Sequence, residues 1–127
     1  MVTANDETGK ILRAQWLGAL GEIADLELQR RTWLDPANRN PHWSYIEFVC
    51  CYPDAGQLKD GQQKGWLSPA EAKILLEFGQ VLIAHKSPTG DDHDNEAIVN
   101  DPAWHKVVRA AQVAQQQIAA SAPVNSR

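Results

Sequence analysis

Residues 33–52, WLDPANRNPHWSYIEFVCCY, constrain the fold more than any other part of the chain. They hold five of its nine aromatic residues (Trp33, Trp43, Tyr45, Phe48 and Tyr52), both cysteines and two prolines. Rings of this size remove a large apolar area from water, so such a cluster marks where a small domain builds its core. Asp35, Arg39, His42 and Glu47 lie in the same stretch. A polar group near a core needs a partner to offset its desolvation. The mixture predicts either a core buttressed by polar side chains or a site at its edge.

The surrounding punctuation is helical. Leu12, Trp16, Ala19, Leu20, Ile23 and Leu26 recur with spacings of three and four, which predicts a helix from Asp6 to about Trp33. Gly18 and Gly21 weaken its middle and leave room for two helices or a bend. Asp35-Pro36 and Asn40-Pro41 end it in a turn-rich linker. Ser44 and Glu47 have capping-box spacing, with Trp43 and Phe48 placed as a hydrophobic staple. That favours a helix over the strand that the β-prone YIEFVCCY also permits. Ile46, Val49 and Cys50 continue its apolar face, and Pro53 follows its end. A polar stretch with Gly56, Gly61 and Gly65 comes next, to which no helix is assigned.

Ser68, Pro69 and Glu71 give a second capping box with proline at the first helical position. That helix should run to about His85 and bury Ile74, Leu75, Phe78, Val81 and Leu82. After the loop SPTGDDHDN, Asp101-Pro102 opens a last helix with Trp104, Val107, Val108, Ala111 and Ile118 inward. The expectation is one domain over residues 1–127 with all-α architecture. It is a compact bundle of four main helices with short additional helical turns, frayed at about 1–5 and 121–127.

With 127 residues, 43% of them apolar, the chain can bury a core without metal or disulfide. The N-terminal MVTANDETGK lacks the cationic and apolar parts of a signal peptide, and no apolar run is long enough to span a membrane. A cytosolic protein with no membrane partner is the expectation. Adjacent Cys50 and Cys51 are poorly placed for an unstrained disulfide, so reduced, partly buried thiols are expected. Their nearest cations in sequence are Arg39 and Lys59, which gives little reason for an activated thiolate. A net charge of −4 argues against direct nucleic-acid binding and suits a basic partner, although ordinary solubility explains it too.

Asp91, Asp92, His93 and Asp94 are the one dense group of potential metal ligands. Counting an EF-hand loop from Asp92 puts Ala97 where a glycine is needed, so a solvated acidic loop is the simpler reading. His42, His85, His93 and His105 are scattered, and Glu22 with Asp25 lacks the Glu-x-x-His companions of a di-iron site. No metal or other cofactor is expected. No nucleophile elbow or phosphate-binding glycine motif is present, and no catalytic residue is assigned. Asp25, Gln29, Arg30 and Glu47 are the most suggestive polar set. They read as a hydrogen-bonded network between helices, with an active site as the less favoured alternative.

The segments ADLELQRRTWLD, NPHWSYIEFVCCYPD, GWLSPAEAKILLEFG and IVNDPAWHKVV, over about residues 22–110, resemble small bacterial immunity proteins. The resemblance implies a non-enzymatic cytosolic inhibitor that binds and neutralises a toxin domain, often a basic nuclease. No interface residue transfers with it. From the residues themselves, Asp54, Asp60, Asp91, Asp92, Asp94 and Glu96 are the candidate acids for meeting a basic partner, with Trp66 or Tyr45 as apolar anchors. Two alternatives stay open. One is a small enzyme or ligand binder with a pocket near Trp43, Tyr45 and Glu47; the other is an oligomerisation module.

Overall fold

The computed structural model describes residues 4–121, which form seven α-helices and no strand. The frayed ends expected at about 1–5 and 121–127 fall mostly outside these residues. In chain order the helices are α1 (Ala4–Ile23), α2 (Leu26–Trp33), α3 (Tyr45–Cys51), α4 (Ala55–Gln63), α5 (Pro69–Ala84), α6 (Asn95–Val99) and α7 (Pro102–Ser121). α7 packs against both α1 and α5, α4 lies on α5, and α2 lies on α6. No helix among the described residues is long and apolar enough to cross a membrane.

Caps, more than glycines, set the helix boundaries. The helix expected from Asp6 to Trp33 is two helices, yet Gly18 and Gly21 both lie inside the continuous α1. The break falls at Ala24 and Asp25, where the Asp25 carboxylate accepts from Leu28 N at 3.0 Å and starts α2. Satisfying a first-turn N–H is worth about 1 kcal/mol, as much as a mid-helix glycine costs. The polar stretch with Gly56, Gly61 and Gly65 is largely α4. Its start is a full capping box: Gln57 N donates to Asp54 Oδ1, and Asp54 N donates to Gln57 Oε1. The box expected at Ser44 is only half made. Ser44 Oγ accepts from Glu47 N at 3.2 Å, but Ser44 N already donates to His42 O, so the Glu47 carboxylate has no cap to complete. The box of Ser68 and Glu71, with Pro69 behind the cap, forms as predicted.

One buried cluster runs through the helices, and the aromatic stretch supplies its centre. Trp33 of α2 meets Phe48 of α3 edge-on at 5.1 Å and tilts against Trp104 of α7 at 6.0 Å. Trp43 closes on Phe48 at 6.1 Å as the staple. Across the molecule, Trp16 packs on Gly61 so closely that a Cβ there would lie 2.8 Å from its ring. The inward residues expected of α7 are all buried. On α5, Leu75, Phe78 and Leu82 are buried, Ile74 is half-buried, and Val81 is 42% exposed, contrary to expectation. The apolar face of α5 is wider than its contact with α7, and Val81 is left with Val113 along the outer seam.

Candidate functional site

The loop between α5 and α6 is a built structure. Gly90 takes the left-handed φ of +79°, which a side chain would oppose. Ser87 Oγ donates to Asp91 O at 2.8 Å, and His93 N donates to Asp91 Oδ1 at 2.9 Å. Asp94 caps α6 by accepting from Ala97 N, and Asn95 Oδ1 accepts from Tyr45 N, tying the loop to α3. Of the predicted loop acids, Asp94 is therefore engaged as a cap and Asp91 partly as a turn acceptor. Asp92 and Glu96 are exposed, with no ion pair or side-chain hydrogen bond among the described residues.

Beneath this loop lies a relay that local sequence does not announce. Tyr45 Oη is 3.0 Å from His85 Nδ1, and His85 Nε2 is 3.2 Å from Asp101 Oδ2. A neutral imidazole protonated at Nε2 satisfies both, donating to the carboxylate and accepting from the phenol. The His85 side chain is 2% exposed and is sandwiched between Tyr45 and Trp104. Burial, and then the negative charge of Asp92, push the Tyr45 phenol above its ordinary range, so it remains a donor at neutral pH. The relay backs a cleft of about 240 Å³ lined by Ile46, Val49, Cys50, Leu82 and Ile83, with Lys86 and Asp92 at its rim.

A larger pocket, about 390 Å³, opens on the other side of α3. Gln15, Gly18, Ala19 and Glu22 line it from one stripe of α1, at helical spacings of three and four, and His42 and Cys51 close it. His42 Nε2 lies 2.9 and 3.0 Å from the two Glu22 carboxylate oxygens, and each side chain is about one-third exposed. Gly18 is exposed, and a Cβ built on it meets nothing within 4 Å. This glycine weakens α1 by about 0.5–1 kcal/mol relative to alanine, and no contact in the fold compensates for it. Both cysteines are free and exposed rather than partly buried as expected. Desolvation, then the charges of Glu47, Glu22 and Cys50, push the Cys51 thiol up, away from a reactive thiolate. Among the described residues, no group of three or more His, Cys, Asp and Glu is arranged to hold a metal ion.

The other predicted residues divide by role. Gln29 is fully buried and is the true polar connector: Nε2 donates to Glu22 O and Ile23 O at 3.0 Å, and Oε1 accepts from Trp104 Nε1 at 2.8 Å. Asp25 is the α2 cap, Arg30 is exposed, and Glu47 is half-buried on α3, so the four expected network members do not meet. Asp54 is consumed in the α4 capping box, and Asp60 pairs with Lys64 at 2.9 Å. Trp66 lies 6.4 Å from Trp16 with Lys64 Nζ 4.9 Å from its ring, so little of it is free to anchor a partner. Trp43, Tyr45 and Glu47 do not share a pocket: Tyr45 lines the α3–α5 cleft, Trp43 a separate depression beside Arg39 and Asn40, and Glu47 neither. Comparison with known proteins finds no family model, no curated protein and no solved structure that matches the chain.

Proposed function

We propose that the protein is a non-catalytic immunity-type inhibitor, acting in the bacterial cytosol, that binds a basic toxin domain and neutralises it. Its body is read as a bundle whose principal helices are α1, α5 and α7, with the α2–α3 pair supplying the fourth side. The observation that carries this reading is the pinned loop over residues 87–96, which holds Asp92 and Glu96 in solvent without partners of their own. A charged loop that is already ordered loses little conformational entropy on binding. Its field also speeds encounter with a cationic surface. The overall charge of −4 has the same sign.

The groups best suited to acid–base chemistry support the same conclusion. His85 spends both ring nitrogens on Tyr45 and Asp101 and its side chain is 2% exposed, which a structural role accounts for. The reading is tested by affinity purification of the tagged full chain from its own cells, followed by binding kinetics with the protein recovered. A basic domain that is toxic when expressed alone, and harmless when co-expressed with this chain, is the expected partner. Asp92→Asn with Glu96→Gln should slow its association and flatten the salt dependence of the rate. A partner with enzymatic substrate character, or an association rate indifferent to both substitutions and to salt, overturns the reading.

A further inference from the structure

We propose that the pocket between α1 and α3 is a receptor for an arginine side chain of a protein partner, with the guanidinium lying flat over Gly18 and Ala19 and bonded to Glu22. This rests on the reading of the protein as a binder of basic partners, but it places the specific contact in a pocket separate from the α3–α5 cleft. Three observations lead there. The first is the pocket itself, about 390 Å³, with a polar end formed by Glu22 and His42.

The second is Gly18. Gly9, Gly61 and Gly79 each lie close under an aromatic ring, and the others meet a polar atom or adopt a left-handed turn. At Gly18 neither holds, since its φ is ordinary and the space where a Cβ would stand is open. A glycine with no internal reason, on the floor of a pocket, suits a group from outside that approaches the backbone more closely than a side chain permits.

The third is electrostatic. Glu22 is the carboxylate that lines the pocket, and its charge, like that of Glu47, acts on the Cys51 thiol of the same pocket. His42 Nε2 straddles the two Glu22 oxygens and takes their inner lone pairs. The outer lone pairs remain for a cation that enters the pocket Gly18 and Glu22 line together. A planar guanidinium lies flat on such a floor and still directs N–H groups in its own plane, which a tetrahedral ammonium does not. Gln15, one turn before Gly18 and Ala19, offers an amide oxygen at the far end of the same stripe.

The test follows amide resonances of the full chain by NMR while N-acetyl-arginine methylamide is added. Saturable shifts are expected at Gly18, Ala19, Glu22 and Cys51, with binding at least about tenfold weaker for the citrulline and lysine analogues. Gly18→Ala should weaken arginine binding by a similar factor while raising the melting temperature, opposite signs that a purely structural role does not produce. Glu22→Gln keeps the shape of the pocket and should abolish binding. Absence of saturable shifts, equal binding of citrulline or lysine, or unchanged binding to Gly18→Ala overturns the proposal. If arginine binds as described but no basic partner is recovered from cells, the pocket stands and the toxin reading falls. If a basic toxin is recovered whose affinity is indifferent to Gly18→Ala and Glu22→Gln, the toxin reading stands and the pocket falls.

Discussion

Gln29 shows how much one side chain can decide. Its amide stands at the C-terminal end of α1, where the last carbonyls have no helical partner. It donates to two of them, at Glu22 and Ile23, and accepts the Trp104 indole N–H from α7. Gln112 reaches from α7 to the next carbonyl, that of Ala24. The α1–α2 corner is thus closed by a side chain of α2 itself and by one from α7. Gln29→Ala removes all three hydrogen bonds and leaves a void, and should cost about 3 kcal/mol or more in urea denaturation. A loss below about 1 kcal/mol would mean that water or a rotated neighbour replaces the amide without cost. The structure places Gln29 on α2 behind the Asp25 cap, whereas the sequence singles it out as a polar residue of the first helix. The identity of the partner, Trp104, lay 75 residues away and was not legible there.

At the scale of the element, short helices depend on their caps. α4 has nine residues, two of them glycine, and its buried side is little more than Leu58 and the close contact of Gly61 with Trp16. Intrinsic propensity for such a segment is poor. Its reciprocal Asp54–Gln57 box compensates, so Asp54→Ala should destabilise the protein by about 1 kcal/mol and speed amide exchange at Gln57 and Leu58. Unchanged exchange at both positions would show that packing alone holds the helix. The D-x-x-Q pattern was available in the sequence, and its glycines obscured it. α5 is the opposite case, a sixteen-residue helix with Ser68, Pro69 and Glu71 in register, and its start is fully legible.

For the whole molecule, the titratable groups with displaced ionisation set the pH range of stability. Burial opposes the charge on Glu71, but the hydrogen bonds from Arg13 and Ser68 N outweigh it and hold the carboxyl below its usual range. The unfolded chain binds that proton more readily, so the contribution of Glu71 is present above the ordinary carboxylate pKa and is lost as pH falls through the folded value. Arg13 is partly exposed, which screens the pair, so Arg13→Gln should cost only on the order of 1 kcal/mol at neutral pH. The difference should shrink in urea titrations as pH falls through the folded carboxyl's range, below the ordinary glutamate pKa. At the alkaline end, burial raises the Tyr52 phenol, whose hydroxyl donates to Leu75 O at 2.6 Å. That contribution is present below the ordinary phenol pKa and is lost as pH rises beyond it. Stability should therefore decline above about pH 10, less steeply in Tyr52→Phe.

The sequence by itself determined that the chain is helical, that its aromatic stretch lies at the core, and where α5 and α7 begin. These are consequences of spacing and of caps that act within one turn. It also supplied the acids of the 91–96 loop, although not which of them are spent on turns and caps. The tertiary structure showed that the local caps of Asp25 and Asp54 prevail over the glycines near them, ending the first helix and starting α4. It alone brought Tyr45, His85 and Asp101 into one relay, and set Glu22 beside His42 over an open Gly18. Each of those pairings joins side chains from different elements. Their meeting depends on how helices pack, and nothing within three or four residues of any one of them encodes it.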